Sequence, residues 1–435
     1  MMFTKNFLRD VSVSVGMAFT MSCFSVIASL LGLIGSLTPI SICLAVVLMA
    51  VVASSIGELA LRFPSAIGVR TYVKSAFGNR FSLYITFLYL VLTFMVAAIE
   101  SVLFGSLIKQ LFFEVPTILV ALILFAGVAW VNVRGLDFSR DTQMIMVVLL
   151  FLSVVGMSVL GISQGSYGNW LTDVQQQDTT ALPESVLSSF FLFVGIEWIT
   201  TSQSGGRKAV SMIPRVLYVS VILLALMYAL FSLAMIGHFD LPAIAVNNKP
   251  QLLLANLVMG RLGSVMVLLV SGLAIMTSFN AGMIGSSRLL YVIAREGYLP
   301  KGLLRLHESS GAPITAIAVV TGICILAAML VDRFNLVLPF ANAGAMIICV
   351  VYMTFMAVLL KLGKPGNLQV SGLRYKVMLV LRVLVFVMLA ATLLMMLADS
   401  KSHDEVLVFG VVLACLLPML LVCNVCAKRQ MLAMQ

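Results

Sequence analysis

The chain has 435 residues, 61% of them hydrophobic and only 10% charged, with 27 Lys and Arg against 17 Asp and Glu and a formal net charge of +10. An average soluble domain carries about 25% charged residues, and at a mean hydropathy of +1.12 this chain has more apolar surface than a water-soluble core can enclose. A soluble enzyme and a nucleic-acid binder are therefore excluded, and the positive charge is assigned to short loops beside anionic lipid headgroups.

In chain order, apolar runs cover residues 11–36, 39–61, 81–112, 115–133, 142–163, 185–204, 214–237, 262–287, 313–331, 335–360, 377–398 and 406–427. Each is long enough to cross a hydrocarbon core of about 30 Å as a helix, which predicts an all-α membrane protein of twelve transmembrane helices in a single domain, 1–435. The first run follows Lys5 and Arg9 but is too long for a secretory apolar segment and lacks a convincing cleavage site, so it reads as a retained helix. Of the 27 Lys and Arg, 22 fall in the N-terminus, the even-to-odd loops and the C-terminus, and 5 on the other side. Positive charge marks the cytoplasmic side, so both termini are expected in the cytoplasm of a plasma (inner) membrane protein. The segment Gln164 to Glu184 carries Asp173, Asp178 and Glu184 without Lys or Arg, which suits an external loop. Residues 239–261, with Asn247, Asn248, Lys249 and Pro250 before LLLANLVM, read equally as a short helix on the outer mouth or as a plain loop. No soluble domain is expected at either end.

The seven cysteines, Cys23, Cys43, Cys324, Cys349, Cys415, Cys423 and Cys426, lie within or at the ends of predicted spans, which argues against a disulfide framework. Cys423 and Cys426 form a CxxC with no second pair and read as small helix residues rather than a metal or redox site. The three histidines, His238, His307 and His403, all fall in predicted loops, and no nucleophile or metal-ligand arrangement falls within the spans. No enzyme, metal site or cofactor is expected.

Two charged segments are rich in residues that helices in lipid avoid. Residues 57–80, GELALRFPSAIGVRTYVKSAFGNR, combine Pro64, Gly68 and Gly78 with Arg62, Arg70, Lys74 and Arg80. Residues 287–317 carry a similar mixture. Each fits an amphipathic stretch beneath the bundle that gates an inward path, and equally a basic loop that fixes topology. The first of these segments, FFLFVGIEWITT with the following SGGRKAVSMIPR (190–215), SFNAGMIGSSRLLYVIAREGYLPKGLLRLHESSGAPITAI (278–317) and, more weakly, NVRGLDFSRDTQ from Asn132 together resemble the amino acid/polyamine/organocation transporter superfamily.

That resemblance implies a five-plus-five inverted repeat, with residues 11–163 as the first repeat, 185–360 as the second and 377–427 as two additional helices. It also implies that helices one and six are broken near the midplane, with the substrate between the breaks. An unwound stretch frees backbone N–H and C=O groups to bind a solute without side chains, so it needs Gly or small polar residues at mid-span. Phe193, Val194, Gly195, Ile196 and Glu197 match the pattern in span six. Span one departs from it: where many relatives carry GxG, this chain reads Thr20, Met21, Ser22, Cys23, Phe24, Ser25. The break is expected at Ser22–Ser25, with carboxylate recognition in question.

Glu100 and Glu197 are the ionisable residues near mid-span, and an intramembrane charge is a functional hypothesis by default. Glu197 reads as substrate contact or as anchor of the unwound segment. Glu100, beside Ala97 in span three, reads as partner of a substrate ammonium, as a proton carrier or as a structural acid. Ser22, Cys23, Phe24, Ser25, Ala97, Glu100, Phe193, Val194, Gly195 and Glu197 are thus the candidate substrate residues. For coupling, Met144 to Gly161 contains no Lys, Thr277 and Ser278 offer hydroxyls to a Na⁺ site, and Glu100 offers a route for H⁺. Exchange without an ion fits equally. The resulting expectation is a secondary active transporter working by alternating access, by ion-coupled symport or exchange, on an amino acid or a related amine or polyamine, in contact with the lipid bilayer and not with nucleic acid, its oligomeric partners left open. A transport-inactive sensor or assembly subunit of the same fold is the alternative.

Overall fold

The computed structural model of the chain describes residues 5–65, 67–111, 114–167, 174, 179–201, 210–239, 241–244, 249–364, 372–398 and 403–432. Asp173, Asp178, Arg207, Lys208, Asn247 and Asn248, which entered the readings above, lie outside these residues. All regular structure among the described residues is helical. We number the principal helices α1 (Lys5–Ala18), α2 (Ser22–Ile34), α3 (Thr38–Arg62), α4 (Gly68–Leu111), α5 (Thr117–Val133), α6 (Leu136–Gln164), α7 (Leu182–Phe191), α8 (Ile213–Ile236), α9 (Pro250–Met259), α10 (Arg261–Arg295), α11 (Ile314–Phe334), α12 (Val337–Leu362), α13 (Gly372–Ala398) and α14 (His403–Leu432). Among the described residues, 10 helical stretches are long and apolar enough to cross a membrane, and α5 and α9 are shorter apolar helices. Large apolar side chains such as Ile123, Leu152, Ile222, Leu262 and Leu394 are exposed on the outside. In water such a surface would drive association; in a bilayer it is the lipid face.

The first helix starts before the apolar run, at Lys5, because its charges are paired. Arg9 contacts Asp141 at 2.6 Å and Asp137 at 3.0 Å, Lys5 contacts Asp141 at 3.0 Å, and Asp10 pairs with Arg140. These bonds fix the charged end of α1 to the start of α6. α1 also packs on α8 and α10, so it runs through the middle of the bundle, while α13 and α14 pack on α12 and on α3 and α4 from outside.

The two charged segments take definite forms. α3 continues to Arg62, and α4 begins at Gly68, ahead of the expected span, and bends at Gly78, whose φ of 78° only glycine adopts readily. At the other segment α10 runs on to Arg295, followed by a short 3₁₀ turn, Lys301–Leu304, before α11. The two meet: Arg70 pairs with Glu296 and lies over the Tyr298 ring, 5.2 Å from its centroid. Between α8 and α10 the short-helix reading describes Pro250–Met259, where Lys249 donates to the Ser106 carbonyl at 2.9 Å and to Gln110 Oε1 at 2.7 Å.

Candidate functional site

α1 stops at Ala18, and the chain through Phe19, Thr20 and Met21 is not helical before α2 starts at Ser22. Entry into α2 is made by i→i−3 bonds, Cys23 N–H to the Thr20 carbonyl at 3.2 Å and Phe24 N–H to the Met21 carbonyl at 3.3 Å. A new helix leaves its first N–H groups without helical partners, and Glu100 of α4 supplies them. Its Oε2 accepts from Met21 N–H at 2.7 Å and its Oε1 from Ser22 N–H at 3.1 Å. Glu100 is only 1% exposed. Its carboxyl group sits at the positive end of a half-helix, where negative charge is favoured. The break therefore falls just before Ser22–Ser25, which form the first turn of α2: a carboxylate from another helix, rather than local glycine, satisfies the opened backbone.

The second break follows α7. Leu192, Phe193 and Val194 each donate to the residue three back, Gly195 has φ 111°, and Ile196–Thr201 form a 3₁₀ helix. The regular i→i−4 pattern is lost across Phe193–Glu197, as expected. Glu197 holds this segment: it accepts from Gly195 N–H at 3.0 Å, from the Tyr89 hydroxyl at 2.8 Å and from the Tyr352 hydroxyl at 2.7 Å. A Cβ at Gly195 would lie 3.1 Å from Ala18 Cα, Ala18 N and Met17 C, so glycine is needed for the breaks to approach each other. Ser14 donates to the Ile196 carbonyl at 2.8 Å, and Tyr228 donates to the Leu192 carbonyl at 2.9 Å while its oxygen lies 3.4 Å from Cys23 Sγ. The two unwound segments are thereby tied together.

Between them lies a cavity of about 230 Å³. Ser22, Cys23, Glu100, Val194, Gly195 and Glu197 line it; Phe24, Ser25, Ala97 and Phe193 do not. Phe24 instead packs edge-on against Phe19 and Phe231, and Phe193 edge-on against Tyr228. Ser25 is a half-buried residue of α2, and Ala97 lines a separate void of about 20 Å³ that also touches Ser278. The helical repeat explains the correction, since consecutive residues of a helix point to different sides. Thr20, Tyr89, Thr93, Trp198 and Gly344 line the main cavity without having been anticipated. Buried tyrosines at mid-span were the available signal, because each hydroxyl must find a partner.

Thr277 and Ser278 do not converge on the main cavity. The Thr277 hydroxyl donates to its own helix at Ala274, 2.8 Å away, and its carbonyl accepts from Gln143 Nε2 at 3.0 Å. The same Nε2 donates to the Ser12 carbonyl of α1 at 3.2 Å, and a Cβ on Gly16 would collide with it at 2.1 Å. Gln143 Oε1 accepts from Asn280 at 2.9 Å, and Asn280 Oδ1 accepts from Asn132 at 2.8 Å and Ser139 at 3.0 Å. A neutral, mutually satisfied network thus links α1, α5, α6 and α10. Among the described residues, no group of three or more His, Cys, Asp or Glu is placed to hold a metal ion.

The model of the amino acid permease family matches residues 6–417. The chain belongs to that family. This permease is accordingly a multi-pass membrane transporter of the amino acid/polyamine/organocation superfamily, not an enzyme. It is 24% identical over 355 residues to the low-affinity putrescine importer PlaP of Escherichia coli (strain K12), covering 77% of this chain and 76% of that protein. It is also 24% identical over 282 residues to the human cystine/glutamate transporter, covering 61% of this chain and 56% of that one. The manganese transporter of Eremococcus coleocola, solved with an aromatic bis-isothiourea substituted compound, superposes with a TM-score of 0.65 at 12% identity over 98% of this chain and 94% of that one. At that identity the permease and the manganese transporter share a fold.

Proposed function

We propose that this permease is a secondary active transporter that moves a small amine-bearing solute by alternating access, with the solute held between the two helix breaks. The observation that carries the reading is that both non-helical segments face one cavity whose only charged lining residues, among the described residues, are Glu100 and Glu197. At about 230 Å³ the cavity is smaller than the roughly 300–1,000 Å³ of drug-sized ligand sites, which suits a small solute. The names of the relatives, a putrescine importer and an amino acid transporter, support the same class. In this reading the chain crosses the plasma membrane twelve times. α1 and α2 form one broken crossing, α3 the next, α5 another, and α7 with the following 3₁₀ helix the sixth. The arrangement is two inverted repeats, 11–163 and 185–360, followed by helices in 377–427, with both termini cytoplasmic.

Coupling in this reading does not use a cation between α1 and α10. Carbonyls of two helices converge at Ser12 and Thr277, the kind of arrangement that holds Na⁺ in broken-helix transporters, but the Gln143 amide nitrogen already donates to both. Exchange, or proton movement through a carboxyl group, is left as the coupling mode. Uptake of labelled putrescine and labelled leucine into proteoliposomes of purified protein tests the transport reading. Accumulation or counterflow of either above protein-free vesicles supports it, and binding without movement of either favours a sensor of the same fold.

A further inference from the structure

We propose that Glu100 is a built-in substitute for a substrate carboxylate, so that the site selects an amine with an apolar body and no carboxylate group. The inference rests on the transport reading above and names its substrate class. The free N-terminus of a half-helix in a broken membrane helix is suited to an anionic substrate group. Here that end is already taken, because Met21 and Ser22 N–H both donate to Glu100. A second carboxylate at the same amides would have to displace Glu100 and lie against it, and two like charges in a low-dielectric site repel strongly.

An independent observation points to the same ligand. Among the described residues, the cavity lining contains Glu100 and Glu197 and no Lys, Arg or His. Among these residues a zwitterion finds no cationic side chain for its carboxylate, whereas an ammonium finds two acidic groups. The two are held differently: Glu197 by the Gly195 amide and the Tyr89 and Tyr352 hydroxyls, and Glu100 by the Met21 and Ser22 amides with the Thr20 and Ser22 side chains beside it. Glu100 is the one that stands at the half-helix end where a substrate carboxylate would bind. The rest of the wall is largely apolar, with Leu92, Val96, Ile99, Phe340 and Ile348 among its residues. That surface matches a hydrocarbon body better than a second ammonium.

Matched pairs that differ by the carboxylate test this: phenylalanine against phenethylamine, and leucine against 3-methylbutylamine, with putrescine as the diamine. Purified full-length protein is titrated with each, and thermal unfolding reports binding by mass action. The expected result is half-maximal stabilisation by each monoamine at a concentration at least tenfold below that of its parent amino acid. Glu100→Ala frees the Met21 and Ser22 amides for a substrate carboxylate and should move the amine-to-amino-acid preference by more than tenfold toward the amino acid. A purely structural Glu100 would weaken both members of a pair alike, and an unchanged ratio overturns the proposal. Wild-type preference for the amino acids overturns it as well, and a stronger response to putrescine than to both monoamines overturns the apolar-body assignment. If Glu100→Ala does not fold, Glu100→Gln keeps the side-chain shape and one accepting oxygen; it should fold and lose the amine response by more than tenfold, and an unchanged response overturns the proposal. Uptake into proteoliposomes separates the two readings. Preferential entry of the amino acids sinks the Glu100 assignment and leaves transport standing, whereas no binding and no entry of any member sinks the transport reading and this assignment with it.

Discussion

At Gly195 one added methyl group would stand 3.1 Å from the backbone of Met17 and Ala18, on a residue whose φ is 111°. Both effects act on the folded state, because the neighbouring atoms are backbone and the left-handed region is strained for L side chains. Gly195→Ala should cost about 1–3 kcal/mol, seen as a lower unfolding temperature of the detergent-purified protein, and should abolish ligand stabilisation by parting the two breaks. A larger residue such as leucine should damage folding itself. At Gln143 the expected outcome is ionic. Wild-type uptake should change less than about twofold when Na⁺ is replaced by choline at constant ionic strength, because the amide nitrogen stands between the Ser12 and Thr277 carbonyls. Saturable stimulation by Na⁺ would contradict that placement of the coupling machinery. Gln143 lies one residue before the stretch Met144 to Gly161, where a span-five cation would stand, and nothing in the sequence marks a glutamine as the partner of two helices remote from it.

α1 is a short half-helix whose charged end is held by side chains rather than by its own chain. Asp10 and Arg140 form a buried pair across α1 and α6. Loss of one partner leaves the other charge buried, which costs about 3–5 kcal/mol. Asp10→Asn and Arg140→Gln should therefore each lower the unfolding temperature. The double variant should be less destabilised than the sum of the two, with a coupling of more than about 1 kcal/mol in the double-mutant cycle. Strict additivity would show that the pair contributes no mutual stabilisation. The two broken elements differ in how legible they were. FVGIE announces its own break, since Gly195 supplies the positive φ and Glu197 caps the amide two residues earlier. The α1–α2 break contains no glycine, and its cap lies 78 residues away in sequence on α4.

At the scale of the whole molecule, the proposed orientation rests on the charge asymmetry and has a direct test. In a cysteine-free background, Thr179→Cys and Ser309→Cys place single thiols at exposed positions on segments assigned to opposite sides. A membrane-impermeant maleimide should label Thr179→Cys in intact cells and Ser309→Cys only after permeabilisation. Labelling of both from one side would overturn the topology and the inverted repeat with it. The asymmetry is read in composition, before any folding, because each charge left in lipid carries a cost that the chain avoids by placing it in a loop.

Composition and apolar run lengths alone established a helical membrane protein, because the hydrocarbon core demands long helices with internally satisfied backbones. The motifs around Gly57, Phe193 and Ser278 were enough for the superfamily resemblance, since they are local in sequence. Tertiary structure decided which groups meet. It brought Glu100 to the start of α2, Tyr89 and Tyr352 to Glu197, and Gln143 to the carbonyls of two other helices. It also left Phe24, Ser25, Ala97 and Phe193 out of the cavity. The physical reason is common to these cases: backbone groups opened by a helix break must be satisfied in a medium without water, and their partners come from helices distant in the chain, a pairing that no local pattern encodes.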